Sequence, residues 1–457
     1  MNRHDPIAAI STAYGRGGIA VIRMSGNGVI PLADRIFKPL NGTALTSLDG
    51  GRVSYGSIFY DGVPIDDGIA TVFRAPHSFT GEDTVEISCH GGVLLTQRVL
   101  EAALFAGCRM AEAGEFSKRA FLNGKMSLSQ AEAVIGLIDA ASEEQLKLSS
   151  ATSRGVLHQR ITDISDSLIE LIASVYAYID YPDEDLTDIT VEELTDRTLH
   201  LREEVTELIA SYRTGHAIHE GIPTVIAGKP NTGKSSILNR LLQKERAIVT
   251  EMAGTTRDTV EETVVVGGVT LRLCDTAGLR DTENLVEKIG VERSREKLKE
   301  AELVLAVFDQ SAPLDEDDMA FIDLLKELHG CEILPILNKL DRGNGEVTLP
   351  FEASPLMVSA VTGEGFDALA QRISDLYISE KLDYNVTPIL SSARQFVAAK
   401  TAENHLDSAY RALSDGFTQD VAGTDLEFAL AALRELDGRG VTEEITDRIF
   451  SRFCVGK

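Results

Sequence analysis

Tryptophan is absent from this 457-residue chain, aromatic residues make up only 6% of it, and cysteine occurs five times. Cys89, Cys108, Cys274, Cys331 and Cys454 form no Cys-x-x-Cys pair. Their odd, scattered set excludes a disulfide framework and fits packed thiols in a reducing cytoplasm. Positive charge is also scarce. With 44 Lys and Arg against 71 Asp and Glu, the formal net charge is −27, which argues against a broad electrostatic nucleic-acid footprint. Any RNA contact must be local or shared. No uninterrupted apolar stretch is long enough to span a bilayer, and no charged start leads into an apolar signal core. The expectation is a soluble, cytoplasmic chain with no membrane partner. Its 43% apolar content supports buried cores, and its length suggests about three domains.

What the chain does have is a phosphate-binding loop. Gly228-Lys-Pro-Asn-Thr-Gly-Lys-Ser235 fits G-x-x-x-x-G-K-[ST], with the apolar strand Thr224–Ala227 before it and the helical run Ser236–Leu242 after it. Glycines let backbone N–H groups close around phosphate oxygens. Lys234 reaches the terminal phosphates, and the Ser235 hydroxyl suits magnesium. Downstream, Asn338-Lys-Leu-Asp341 follows the strand run Ile333–Leu337, at the strand end where open α/β sheets bind ligands. Asp341 there would accept from guanine N1–H and its 2-amino group, a paired donor edge that adenine lacks. Ser359-Ala360, after the short strand Leu356–Val358, resembles the loop completing the base pocket in GTPases. Between these, the alternating strand Val269–Cys274 delivers Asp275, Thr276, Ala277 and Gly278, and Gly254-Thr-Thr256 offers Thr256 as a second hydroxyl for magnesium. The ordered set marks a GTPase. Leu279 stands where Ras-like enzymes carry a water-orienting glutamine, so another group must do that work.

The expected fold is multidomain α/β plus α. An N-terminal α+β domain covers 1–123, with strands Ile19–Met24 and Val85–Cys89 and a helix Leu94–Ala106. Arg23 and Glu86 interrupt the strand patterns, which fits either a polar pocket or an outward-facing position. Gly15–Gly18 and His90–Gly92 read as tight turns, with an anion cradle as the alternative. Helical halves cover 124–219 and 380–457, and an inserted Ras-like P-loop GTPase domain covers 220–379. The halves are expected to form one bundle with the insert on two adjacent linkers. Ser127/Gln130, Thr190/Glu193 and Thr424/Glu427 read as capping boxes. Leu194, Leu201, Val205 and Leu208 share one helix face, and Phe428, Leu430, Leu433 and Leu436 supply contacts in another helix. The acidic clusters Asp180–Asp185 and Asp315–Asp318 read as solvated turns beside helix starts.

From end to end the chain resembles the bacterial tRNA modification GTPases of the MnmE (TrmE) type. The resemblance rests on Gly15-Arg-Gly-Gly18, Phe79-Thr-Gly-Glu-Asp83, His90-Gly-Gly92, Gly114-Glu-Phe116, Ser129-Gln-Ala-Glu132, the GTPase motifs and the terminal Phe453-Cys-Val-Gly-Lys457. It implies a homodimer that works on tRNA with an FAD-dependent partner of the GidA/MnmG type. Together they would build the 5-carboxymethylaminomethyl group on wobble uridine from a tetrahydrofolate derivative, in its 5-formyl or 5,10-methylene form. The N-terminal domain would bind folate and dimerise, with Arg23, Glu86, Lys125 and Lys457 at the folate and Cys454 as a residue for one-carbon chemistry or for packing.

For GTP, the motifs and the resemblance together mark Gly228, Asn231, Thr232, Gly233, Lys234, Ser235 and Ser236 in the phosphate loop. They add Thr250, Glu251, Met252, Ala253, Gly254, Thr255 and Thr256, then Asp275 to Gly278, Asn338, Lys339, Asp341, Ser359 and Ala360. The resemblance further implies a potassium ion held by Asn231, Thr250, Met252 and Thr255, where Met252 stands in place of a more usual aliphatic residue. It assigns the water-orienting role to Glu287, which the sequence alone does not prefer over Asp281 or Glu283. Arg257 and Arg280 are read as electrostatic contacts in the switch segments. The competing function class is a GTP-controlled RNA or ribosome assembly factor with no chemistry beyond hydrolysis. The acidic charge weighs against it, since such factors carry basic RNA-binding modules.

Overall fold

The computed structural model describes residues 4–180, 190–244, 262–274, 298–343, 347–351, 353–378, 382–451, 453 and 455–456. Two compact units are present, Met1–Ile135 with Asp437–Lys457, and Gly136–Leu436. The stretch from Asp437 onward, which helical patterning grouped with 380–457, therefore packs with the amino-terminal strands. Phe450 and Phe453 are buried against Leu128 and Ala131 there, which gives that stretch its apolar anchor.

The first unit is built on a seven-stranded sheet: β1 (Ile7–Ile10), β2 (Ile19–Ser25), β3 (Phe37–Pro39), β4 (Arg52–Tyr60), β5 (Val63–Phe73), β6 (Thr84–His90) and β7 (Arg109–Met110). The order is β3-β4-β5-β6-β2-β1-β7, and only the β1–β7 pair is parallel. Period-two alternation sends Ile22, Met24, Ile58 and Ile87 into one core, closed by the helices Val29–Ile36 and Val93–Ala106. On the opposite face, Val53, Tyr55 and Ile69 stand exposed, with Tyr55 directly across from Ile69. The helix starting at Leu128 has its reciprocal cap: Gln130 N–H donates to Ser127 Oγ (3.3 Å), and Ser127 N–H donates to Gln130 Oε1 (2.9 Å).

In the second unit, the helices Val156–Asp180, Val191–Ala210, Ala393–Ser414 and Gln419–Leu436 share one core containing Leu168, Leu201, Val205, Leu406 and Leu433. The two sequence-distant halves thus form a single bundle. Thr190 Oγ1 accepts from Glu193 N–H at 3.2 Å, as a helix start requires. Thr424 does not cap: it lies inside Gln419–Leu436, where its hydroxyl donates to the Asp420 carbonyl one turn earlier (3.1 Å). Phe428 also departs from expectation, being exposed and resting on the His405 ring, whereas Leu430, Leu433 and Leu436 are buried. The Asp180–Asp185 cluster lies outside the residues described with side chains.

The remaining strands are β8 (Ile222–Ala227), β9 (Glu262–Val266), β10 (Val269–Leu273), β11 (Leu303–Asp309), β12 (Glu332–Asn338) and β13 (Leu356–Met357). They form one sheet in the order β13-β12-β11-β8-β10-β9, parallel except for the β9–β10 hairpin. β11 is apolar from Leu303 to Phe308 because both its faces are covered. Leu303, Leu305 and Val307 meet the helices Lys234–Lys244 and Phe366–Tyr377, while Val304, Ala306 and Phe308 meet Glu316–Lys326. The chain enters and leaves this domain at adjacent points, where Thr214 Oγ1 donates to the Tyr377 carbonyl at 2.6 Å.

Candidate active site

Strand β8 ends at Ala227 and the phosphate loop turns directly into the helix Lys234–Lys244. The turn uses left-handed backbone at Asn231 (φ 64°) and Gly233 (φ 95°). Glycine at 233 is required twice over, because a Cβ there would also collide with the Asn338 amide. Inside the loop, the Lys229 carbonyl accepts from Thr232 Oγ1 (3.0 Å) and from Lys234 Nζ (2.9 Å). Burial lowers the Lys234 pKa, the direction expected of an ammonium awaiting an anion.

The base loop is tied to the phosphate loop by one side chain. Asn338, 2% exposed at the end of β12, donates from Nδ2 to the Thr232 carbonyl (2.9 Å) and accepts at Oδ1 from Ala360 N–H (3.1 Å). Asp341 faces solvent, yet Ser359 Oγ fixes its Oδ1 at 2.6 Å, and Ser359 in turn accepts from Thr362 N–H at 3.1 Å. Lys339 (φ 71°) places its ammonium 2.6 Å from Asp309 at the end of β11. Burial pushes the Asp309 carboxyl up, but Lys339 and Ser311 outweigh it and hold the group below its usual range. Arg240, on the helix after the phosphate loop, donates to the Thr362 carbonyl at 2.9 Å and braces the same turn.

Sequence reading missed Asp309 and Arg240, and it took Asp315 and Asp318 for a solvated turn beside a helix start, whereas Asp318 is 3% exposed. The last two form a capping box at the start of Glu316–Lys326 and both bind the Lys229 ammonium, at 2.8 and 2.6 Å. The only signal for Asp309 was its place after an apolar run at a strand's carboxyl end.

In the first unit, Arg23 and Glu86 sit directly opposite each other on β2 and β6 and pair at 2.8 Å, both partly buried. The Arg23 guanidinium lies over the rings of Phe79 (5.2 Å) and Phe116 (5.7 Å). Both side chains are therefore held against the protein rather than standing on a solvated strand face. Lys125 Nζ donates to the Pro76 carbonyl at 3.0 Å and its stem runs beside Gly81, so it lies on the loop that carries Phe79. The glycine clusters brace one another: Gly17 N–H donates to Gly91 O (2.9 Å) and Gly91 N–H to Gly18 O (3.3 Å). A cavity of about 350 Å³ opens beside them, lined by Tyr14, Arg16 and Thr96 among others.

Comparison with known proteins matches residues 6–125 to the family described as GTP-binding protein TrmE N-terminus. Residues 128–454 match the MnmE helical domain. The chain is 44% identical to the tRNA modification GTPase MnmE of Symbiobacterium thermophilum, covering 99% of both chains. It is 42% identical to that of Geobacter sulfurreducens, covering all of both. The chain belongs to the MnmE family.

Several residues singled out for this MnmE family member lie outside the described residues: Thr250 to Arg257, Asp275 to Asp281, Glu283, Glu287, Cys454 and Lys457. Their neighbours at the carboxyl end are placed. Val455 forms an antiparallel bridge with Ala113, and Ser11 Oγ donates to the Gly456 carbonyl at 3.0 Å. Elsewhere in this MnmE family chain, burial pushes the Cys89 thiol up to about 11 and the Cys108 thiol up to about 12, which keeps those two protonated. Among the described residues, no helix is long and apolar enough to cross a membrane.

Proposed function

We propose that this chain hydrolyses GTP and that hydrolysis serves wobble-uridine modification in tRNA, carried out by a homodimer with an FAD-dependent partner of the GidA/MnmG type. The observation that carries the nucleotide half of this reading is the Asn338 bridge, which holds phosphate loop and guanine loop in one frame. Support for the tRNA half comes from the curated relatives, whose names state that activity.

In this reading Asp341 selects guanine, Lys234 faces the terminal phosphates, and Ser235 with Thr256 would hold magnesium. A monovalent cation beside the phosphates supplies positive charge where negative charge builds up in the transition state, the task an arginine finger performs elsewhere. Asn231, exposed on left-handed backbone at the mouth of the loop, is the described residue that would hold potassium. Thr250, Met252 and Thr255 would complete that site, and Glu287 orients the attacking water. Hydrolysis should then run faster in potassium than in sodium at equal ionic strength. Asn231→Ala should shrink that difference with nucleotide binding retained, and Glu287→Ala should lower kcat at unchanged GTP affinity. Equal rates in the two salts would remove the cation from the mechanism.

The donor set of the first unit suits a reduced folate. Glu86, oriented by Arg23 beside it, would accept from a pterin's N–H edge as Asp341 would from guanine, and the cations Lys125 and Lys457 suit its carboxylates. Dimerisation would cover the apolar face bearing Val53, Tyr55 and Ile69. Deleting residues 454–457 should abolish wobble-uridine modification in cells, read by mass analysis of tRNA nucleosides, while GTP hydrolysis persists. Full modification by that variant would refute a role for the tail in the chemistry.

A further inference from the structure

The second residue of a phosphate loop ordinarily contributes its backbone alone, but here its side chain is held. Lys229 is 19% exposed, and its ammonium sits 2.6 Å from Asp318 Oδ2 and 2.8 Å from Asp315 Oδ2. Asp318 is 3% exposed, and the same Oδ2 accepts from Asp315 N–H (3.2 Å), while Asp318 N–H donates to Asp315 Oδ1 (3.0 Å). A helix cap needs no buried negative charge, since a neutral hydroxyl or amide supplies the same acceptors. Burying a carboxylate at that cost is explained by the cation it meets.

The backbone of Lys229 is where the loop closes on itself. Its carbonyl takes one hydrogen bond from Thr232 Oγ1 and one from Lys234 Nζ. Fixing the Lys229 side chain from outside therefore fixes the carbonyl to which Thr232 and the phosphate-facing Lys234 are tethered.

We propose that Asp318, through Lys229, is a positioning residue that sets the shape of the phosphate loop before nucleotide arrives. This deepens the nucleotide-binding reading and rests on it. A loop preorganised in this way binds ground state and transition state alike, so losing the clamp weakens binding without slowing the chemical step. Charge-assisted hydrogen bonds of this kind set the expected loss at about tenfold.

The test uses the full-length chain, GDP titration, steady-state GTP hydrolysis and thermal unfolding. Asp318→Asn keeps the capping acceptor but removes the charge. It should raise the Kd for GDP and the KM for GTP about tenfold, leaving kcat within about twofold. Lys229→Met should do the same, and the double variant should be no worse than the weaker single one, because both changes cut one link. Lys229→Arg, which preserves the charge, should restore most of the affinity. Should Asp318→Asn not fold, the contrast between Lys229→Met and Lys229→Arg decides the matter. Wild-type affinity in Asp318→Asn or Lys229→Met, losses that multiply in the double variant, or a fall in kcat at constant KM would each overturn the assignment. A lack of GDP binding by the unaltered chain would instead remove the nucleotide reading itself, and the clamp with it.

Discussion

Asp341→Asn should convert a guanine site into a xanthine site. The wild-type carboxylate is held by Ser359 Oγ at 2.6 Å and has its other oxygen open for ligand. Guanine offers it two adjacent donors. An asparagine in that position presents one acceptor and one donor, so its amide N–H meets the guanine 2-amino group and one charge-assisted pair is replaced by an opposed one. Loss of one hydrogen bond to a charged group is worth about 1.5–3 kcal/mol, or roughly 10- to 150-fold in GTP affinity, and the opposed donors add to it. Xanthosine triphosphate carries a 2-oxo group in place of the amine and should gain correspondingly. Direct titration of both nucleotides against the variant is the measurement, and an unchanged GTP affinity would remove Asp341 from the base pocket.

Arg119→Met should destabilise the first unit by about 3–5 kcal/mol, the cost of stripping the cation from a buried ion network. Arg119 is 4% exposed and binds Glu82 at 2.9 Å and Glu115 at 2.8 Å, and those carboxylates are themselves only 6% and 12% exposed. In a domain of this size the unfolding midpoint should fall by roughly 10–15 °C. Arg98→Met, which breaks the exposed pair with Glu101, should shift it by no more than about 2 °C. The network also sets a pH dependence. Burial alone would raise the Glu115 carboxyl, but Arg109, the Glu112 N–H and Arg119 outweigh it and bring it from an ordinary 4.5 down to about 2. Because the folded value is the lower one, the stabilisation is present above pH 4.5 and is lost as pH falls toward 2. The gap between wild type and Arg119→Met should therefore narrow across that window. A constant gap would show that the arginine acts by packing alone.

Much of the candidate nucleotide site could be read in advance because the residues of each motif are neighbours in sequence. Lys234 and Ser235 follow the loop glycines, and Asp341 follows its strand, so spacing alone carries the geometry. Asp309 was missed because its partner Lys339 lies just past the end of the next strand, and only the parallel β11–β12 register brings the two together. The same holds for Arg23 and Glu86, whose strand patterns allowed either a pocket or a solvated face until β2 and β6 were seen to set them side by side. Thr424 misled for a local reason. A threonine hydroxyl satisfies the carbonyl four residues back as readily as a helix's first N–H groups, and the spacing to Glu427 is the same in both cases. Phe450 and Phe453 anchor the carboxyl end against Leu128 and Ala131, a surface that patterning alone cannot name.

The junction at Thr214 and Tyr377 bears on how the chain assembles during synthesis. The helix Val191–Ala210 leaves the ribosome well before Ala393–Ser414, and until the latter appears Leu194, Leu201 and Val205 have only part of their core. Closing so long a loop through an unstructured chain would be slow and would leave an adhesive surface open. The inserted domain changes that, because once its own sheet has formed its two ends lie within a hydrogen bond of each other. The effective distance between the bundle halves then shrinks to three residues between Ala210 and Thr214 and fifteen between Tyr377 and Ala393. An insert that folds first would act as a spacer that delivers the second half to the first, and damage to its sheet should then show itself as aggregation of nascent bundles as well as lost catalysis.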